Sequence, residues 1–86
     1  MNRQTHKLKI DTEHFADVVA GKKRSEVRYN DRSYKSNDLL ILQEFDGDKL
    51  TGNEQRVVIT HVLKGGQHGI ANEYVVLSIR EDTEYV

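Results

Sequence analysis

The sequence predicts a mainly β, α+β fold: a small, partly closed β-barrel of about five strands with one short N-terminal helix packed on it. Three observations point there. Stretches with two-residue alternation or unbroken apolar character recur along the chain, separated by turn-forming residues. Only one early segment has helical spacing. Most strands are joined by short turns, so they become neighbours, and curling the sheet shut removes edges that would otherwise stand open. An open-sheet α+β sandwich is the competing architecture.

Residues 6–11, HKLKID, alternate with Leu8 and Ile10 on one face, as a short strand does. Asp11 or Thr12 then caps a helix. Phe15, Val18 and Val19 fall at i, i+3 and i+4, one apolar stripe, and Gly21 follows as a C-terminal cap. So short a helix must draw its stability from docking that stripe. Residues 24–30, RSEVRYN, alternate again. Ser25, Val27 and Tyr29 share one face, with Val27 expected to anchor the core. Arg24, Glu26, Arg28 and Asn30 share the other. DRSYKSN is a loop. DLLILQEF (38–45) is nearly all apolar and is expected to be covered on both sides. DGDKLTGN (46–53) is turn chemistry, EQRVVITHVL (54–63) a long strand, KGGQHGIANE (64–73) a flexible loop, and YVVLSI (74–79) the last strand. The tail REDTEYV is charged and expected to fray.

The chain has 86 residues, room for a single domain over 1–86 with its core at about 6–79. It contains no Cys, which removes disulfides and thiolate chemistry. No apolar run approaches the roughly 20 residues of a membrane span. Nothing at the N-terminus reads as a signal peptide, so a cytoplasmic location and no membrane partner are expected. The net charge is −1, unlike a general nucleic-acid glue. Its distribution is uneven: residues 1–35 hold nine Lys/Arg against five Asp/Glu, and residues 36–86 hold four against nine. The first half can present a basic face to an anionic partner, unless the fold interleaves the halves.

Gly21, Lys23, Glu26 and Arg28 form the pattern G-x-K-x-x-E-x-R after the short helix. This resembles the ASCH domain, a branch of the PUA-like superfamily. The longer stretches HKLKI, HFADVVAGKKRSEVRYNDRSYKSNDLLILQEF, TGNEQRVVITHVLKGG and YVVLSI resemble a small bacterial and phage group known as DUF3850, over about residues 6–79. The resemblance implies a PUA-like barrel with the motif lining a cleft between barrel and helix. It also implies RNA binding, common in the superfamily. Some ASCH members hydrolyse the acetyl amide of N4-acetylcytidine with the motif Lys. Two departures weigh against that activity here. Those enzymes carry Thr where this chain has Glu26, and they carry a longer, acid-bearing insertion where this chain has only KGGQHGIANE. A third departure is milder: Asn37 replaces the usual Gly before Asp38, and Asn tolerates the left-handed conformation.

Glu26 and Arg28, two apart on a strand, leave the same face and can pair, holding the guanidinium fork in place for a phosphate, carboxylate or base edge. Strand parity cannot place Lys23; only the resemblance brings it to the same cleft, as an anion ligand or, in an enzyme, as the base with Glu26 assisting. Asn30 and Arg32 extend the polar wall, Tyr34 is the loop aromatic best placed to stack on a base, and His6 sits at the cleft mouth. The competing reading is a surface ion pair of little consequence. Lys22 and Arg24 fall between motif positions and are expected to face solvent. Tyr29, Phe15 and Phe45 are expected in the core. His61 shares parity with Val57, Ile59 and Leu63, as a core or rim histidine would. The histidines lack metal-ligand spacing, so neither metal nor cofactor is expected. KGGQHG leads into a strand, not a helix, and is no phosphate loop.

Three functions remain: an RNA- or nucleotide-binding module, a small amidohydrolase acting on an acylated nucleoside, and a phage or mobile-element accessory domain that binds another protein. The oligomeric state cannot be read from the sequence.

Overall fold

A run such as Leu39-Leu40-Ile41-Leu42 is stable in water only where both faces are covered, and all four residues are buried. The computed structural model describes residues 3–83. The chain runs β1 (Thr5–Asp11), α1 (Thr12–Val19), β2 (Ser25–Tyr29), β3 (Leu39–Phe45), β4 (Leu50–Lys64) and β5 (Tyr74–Glu81). The strands form one sheet in the order β1-β3-β4-β5-β2. β1 and β3 are parallel, and the other pairs are antiparallel. The sheet curls into a half-barrel with α1 on its concave side. Leu40, Leu42, Ile59 and Leu77 fill the core with Leu8, Ile10, Phe15 and Val18 from β1 and α1. Among the described residues no helix is long and apolar enough to cross a membrane.

The helix ends as its sequence demands. Gly21 adopts φ +77°, a conformation that costs other residues. Its N–H donates to the carbonyl of Val18, and the Asp17 carbonyl accepts from the N–H groups of both Lys22 and Lys23. This Schellman-type closure turns the chain sharply and fixes where Lys23 begins. Asp11 occupies the N-cap position without a side-chain cap bond. Phe15 and Val18 dock, whereas Val19 is 55% exposed and drops out of the expected stripe. Asn37, at φ +78°, carries the turn into β3.

Four expectations need correction. β2 is turned over: Val27 and Tyr29 are exposed, and Glu26 is buried. Its register with β5 explains this. Glu26 lies opposite Leu77 and Arg28 opposite Val75, both core residues, while Val27 and Tyr29 stand opposite Val76 and Tyr74 on the outer face. Tyr29 and Tyr74 meet there edge to face, 5.7 Å apart. Secondly, β4 starts at Leu50, so the second half of the expected 46–53 turn is strand. Thirdly, a bulge between Ile59 and His61 shifts the parity of β4. Val62 then packs on the core, and His61 is exposed. Fourthly, the tail does not fray at residue 80. Arg80 and Glu81 belong to β5, and Asp82 is buried with its N–H donating to the Arg56 carbonyl. The rest of that tail, from residue 84, lies outside the described residues. The 64–73 loop is internally bonded: the Gly66 N–H donates to the Ile70 carbonyl, and the Ile70 N–H donates to the Gln67 carbonyl.

Candidate functional site

The two ends of the sheet, β1 and β2, do not pair through their backbones. Side chains span the gap instead. Arg28 Nη2 donates to the Lys9 carbonyl at 2.7 Å, and Arg32 Nη1 donates to the Lys7 carbonyl at 3.1 Å. Between β1, the start of α1 and β2 lies an open cleft of about 530 Å³.

On its wall, the buried carboxylate of Glu26 gathers the motif. Lys23 Nζ lies 2.7 Å from Oε1, and Arg28 reaches Oε2 with Nη2 at 2.8 Å and Nε at 2.9 Å. Lys23 also donates to the Ser25 carbonyl. The side chains of Lys23 and Arg28 are each 24% exposed, against 7% for Glu26. The acid is therefore the hidden member, and the cations keep an open side toward the cleft. Burying a carboxylate alone is costly, and two charge-assisted contacts offset that cost. Arg28 is engaged through Nε and Nη2, which leaves the two Nη1 hydrogens as donors for a ligand. Lys9, Asp11 and His14 complete the polar lining. Three cations face two carboxylates, one net positive charge, which suits a single anionic group or a polar ring edge.

Of the residues singled out by sequence, Lys23, Glu26 and Arg28 converge, and Lys23 turns toward the Glu26–Arg28 face. Asn30 does not line the cleft; its backbone N–H donates to the Glu73 carbonyl. Arg32 goes to the β1 gap. Tyr34 is no stacking platform: it is 7% exposed, with the ring of His6 edge-on at 4.9 Å. Burial raises the Tyr34 hydroxyl pKa, Asp31 and Glu26 add to this, and Arg32 and Arg28 oppose it. His6 is likewise buried, not at a cleft mouth, because residues 6, 8 and 10 share the inward parity of β1. Its Nε2 pairs with Asp38 Oδ2 at 3.0 Å.

Asp38 is the polar residue that sequence reasoning passed over. It is buried, and its carboxylate also accepts from the backbone N–H groups of Gln4 and Lys35. Burial pushes its pKa up, but the hydrogen bonds from His6, Gln4 and Lys35 outweigh that and hold it below the ordinary 3.8. Only the parallel β1–β3 register sets it near His6, so no local signal could have found it. Among the described residues, no three His, Cys, Asp or Glu side chains gather as a metal site. Lys22 is exposed; Arg24 is exposed too but lines a second hollow beyond Lys23.

The fold and the clamp define a half-barrel domain with a polar cleft beside its open side. The chain belongs to the DUF3850 family, described as a domain of unknown function, whose pattern matches residues 5–79. It is also similar to an uncharacterised 12.9 kDa protein of Escherichia phage P2, from the GpA 3′ region. The two are 39% identical over 62 residues, which cover 72% of this chain and 57% of the phage protein.

Proposed function

We propose that this chain is an ASCH-type member of the PUA-like superfamily and that its cleft binds a nucleotide, free or within RNA. The observation that carries the reading is the convergence of Lys23 and Arg28 on the buried Glu26 at the wall of an open cleft. A guanidinium oriented by a carboxylate spends little entropy on binding, and its remaining donors match a phosphate or a base edge. Lys7 and Lys22 stand exposed nearby in sequence and add long-range attraction for phosphates.

Fluorescence anisotropy with labelled single-stranded and hairpin RNAs at low salt tests this. Affinity should fall with rising salt, and Arg28→Ala should weaken it by about tenfold and reduce the salt slope by about one. Absence of binding to every RNA shape and to free mononucleotides at low salt would overturn the proposal.

Amide hydrolysis is the second reading, and the 2.7 Å Lys23–Glu26 contact favours it as a proton-transfer distance. Lys23 as placed donates to both Glu26 and Ser25, whereas a base must offer a lone pair. Release of acetate from N4-acetylcytidine, compared with a Lys23→Ala control, decides it.

A further inference from the structure

A second hollow, of about 260 Å³, lies on the other side of Lys23 from the cleft, between the C-terminal end of α1 and the strands β4 and β5. Lys23 lines both spaces. The hollow differs from the cleft in chemistry. Val18, Val57 and Ile79, all buried core residues, contribute to its lining. Arg24 and Arg80 stand exposed around it. Each is tethered by one bond: Arg24 Nε donates to the Gly21 carbonyl at 3.2 Å, and Arg80 Nη1 to the Glu81 carbonyl at 3.1 Å. The guanidinium planes are thus held near the hollow with donors to spare. Lys23, Arg24 and Arg80 against Glu81 leave two net positive charges, more than in the cleft.

We infer that this hollow is a base pocket, and that the segment 21–24 is a ridge over which one internucleotide phosphate passes. This rests on the nucleotide-binding reading of the cleft and extends it to a dinucleotide step. The hollow is slightly smaller than the roughly 300–1,000 Å³ of sites for drug-sized ligands, a size for one planar ring system. Its apolar lining takes a ring face, and the arginines cover the other face by stacking. Gln55, also in the lining, offers an amide to a base edge. Lys23 and its exposed neighbour Lys22 face the phosphate. The next nucleotide enters the cleft, where Arg28 meets its polar edge. A purely apolar ligand would leave both arginines idle, and a bare anion would leave the apolar lining wet.

The dinucleoside monophosphate ApA and the mononucleotide AMP serve as probes, titrated into the isotopically labelled full chain and followed by amide chemical shifts. ApA should bind more tightly than AMP, with shifts at Val18, Val57 and Ile79 as well as at Glu26 and Arg28. Arg80→Ala should weaken ApA by about tenfold, the scale of losing one base–side-chain stack. Val19→Trp fills the hollow from an exposed helix position and should do the same without disturbing the core. If ApA binds with shifts confined to the cleft, or if both variants retain wild-type ApA affinity, the base pocket is refuted while the cleft reading stands. If neither probe nor RNA binds the wild type, both fail together.

Discussion

Glu26→Gln is the sharpest test of the clamp, since it keeps the side chain's shape, removes its charge and turns one of its two acceptor oxygens into a donor. The carboxylate holds Lys23 at 2.7 Å and Arg28 at 2.8 and 2.9 Å. Breaking a fully buried ion pair by removing one partner costs about 3–5 kcal/mol. Here both cations are 24% exposed, so water recovers part of the loss. A cost of about 2–3 kcal/mol follows, between that range and a pair of ordinary charged hydrogen bonds. At about 4–8 °C per kcal/mol for a domain of this size, the melting temperature should fall by about 10–20 °C. Urea unfolding at pH 7 gives the free energy directly, with an unchanged slope showing that only stability moved. Double-mutant cycles with Lys23→Ala and Arg28→Ala should each return about 1 kcal/mol or more of coupling. A Glu26→Gln protein within about 0.5 kcal/mol of wild type would refute the clamp, because that is the range of an ordinary surface change. The triple change Lys23→Met, Glu26→Leu and Arg28→Met should recover most of the stability, as apolar replacements of buried ionic clusters often do. Loss of nucleotide binding in that stable protein would show that the charges serve the ligand and not the fold.

Two further outcomes concern the supporting structure. Folding lowers the Asp38 pKa below 3.8, so its stabilisation is complete above the unfolded value and drains away as pH falls through the folded one. Asp38→Asn should lower stability at pH 7 and flatten the acid limb below about pH 4, as read from urea midpoints across pH; an acid limb as steep as wild type would count against the assignment. A Cβ at Gly21 would meet no atom within 4 Å, so Gly21→Ala bears only the cost of its positive φ, about 1–2 kcal/mol. Gly21→Asn should cost less, and equal stability of wild type and the Ala variant would exclude the left-handed turn.

The alternation of 24–30 is visible in the sequence, and so is the pairing of Glu26 with Arg28. Which face turns inward is not. Period two defines two faces without saying which is which, and apolar-in is only the usual choice. In β2 the pairing with β5 decides, and Glu26 and Arg28 satisfy one another where Val27 would otherwise have packed. His61 fails for a related reason: one extra residue in β4 inverts every parity after it, and nothing in ITHVL marks the bulge. Tyr34 and Asp38 depend on contacts more than 25 positions distant in the chain, Tyr34 with His6 and Asp38 with His6 and Gln4. Some elements bounded by local chemistry were legible, although the start of β4 and the end of β5 were not. The Gly21 turn, the Asn37 turn and the doubly buried β3 each followed from the residues that form them.

The guanidinium groups of Arg28 and Arg32 also cover part of the outer edge of β1. A sheet margin recruits foreign strands through its unsatisfied carbonyls and amides. On β1, the carbonyls of Lys7 and Lys9 are already occupied by Arg32 and Arg28. An approaching strand would have to expel two arginines before forming its first rungs. The same side chains that shape the cleft therefore act as a guard against chain-to-chain polymerisation, and a domain stripped of both should aggregate more readily at a given concentration than its loss of stability alone explains.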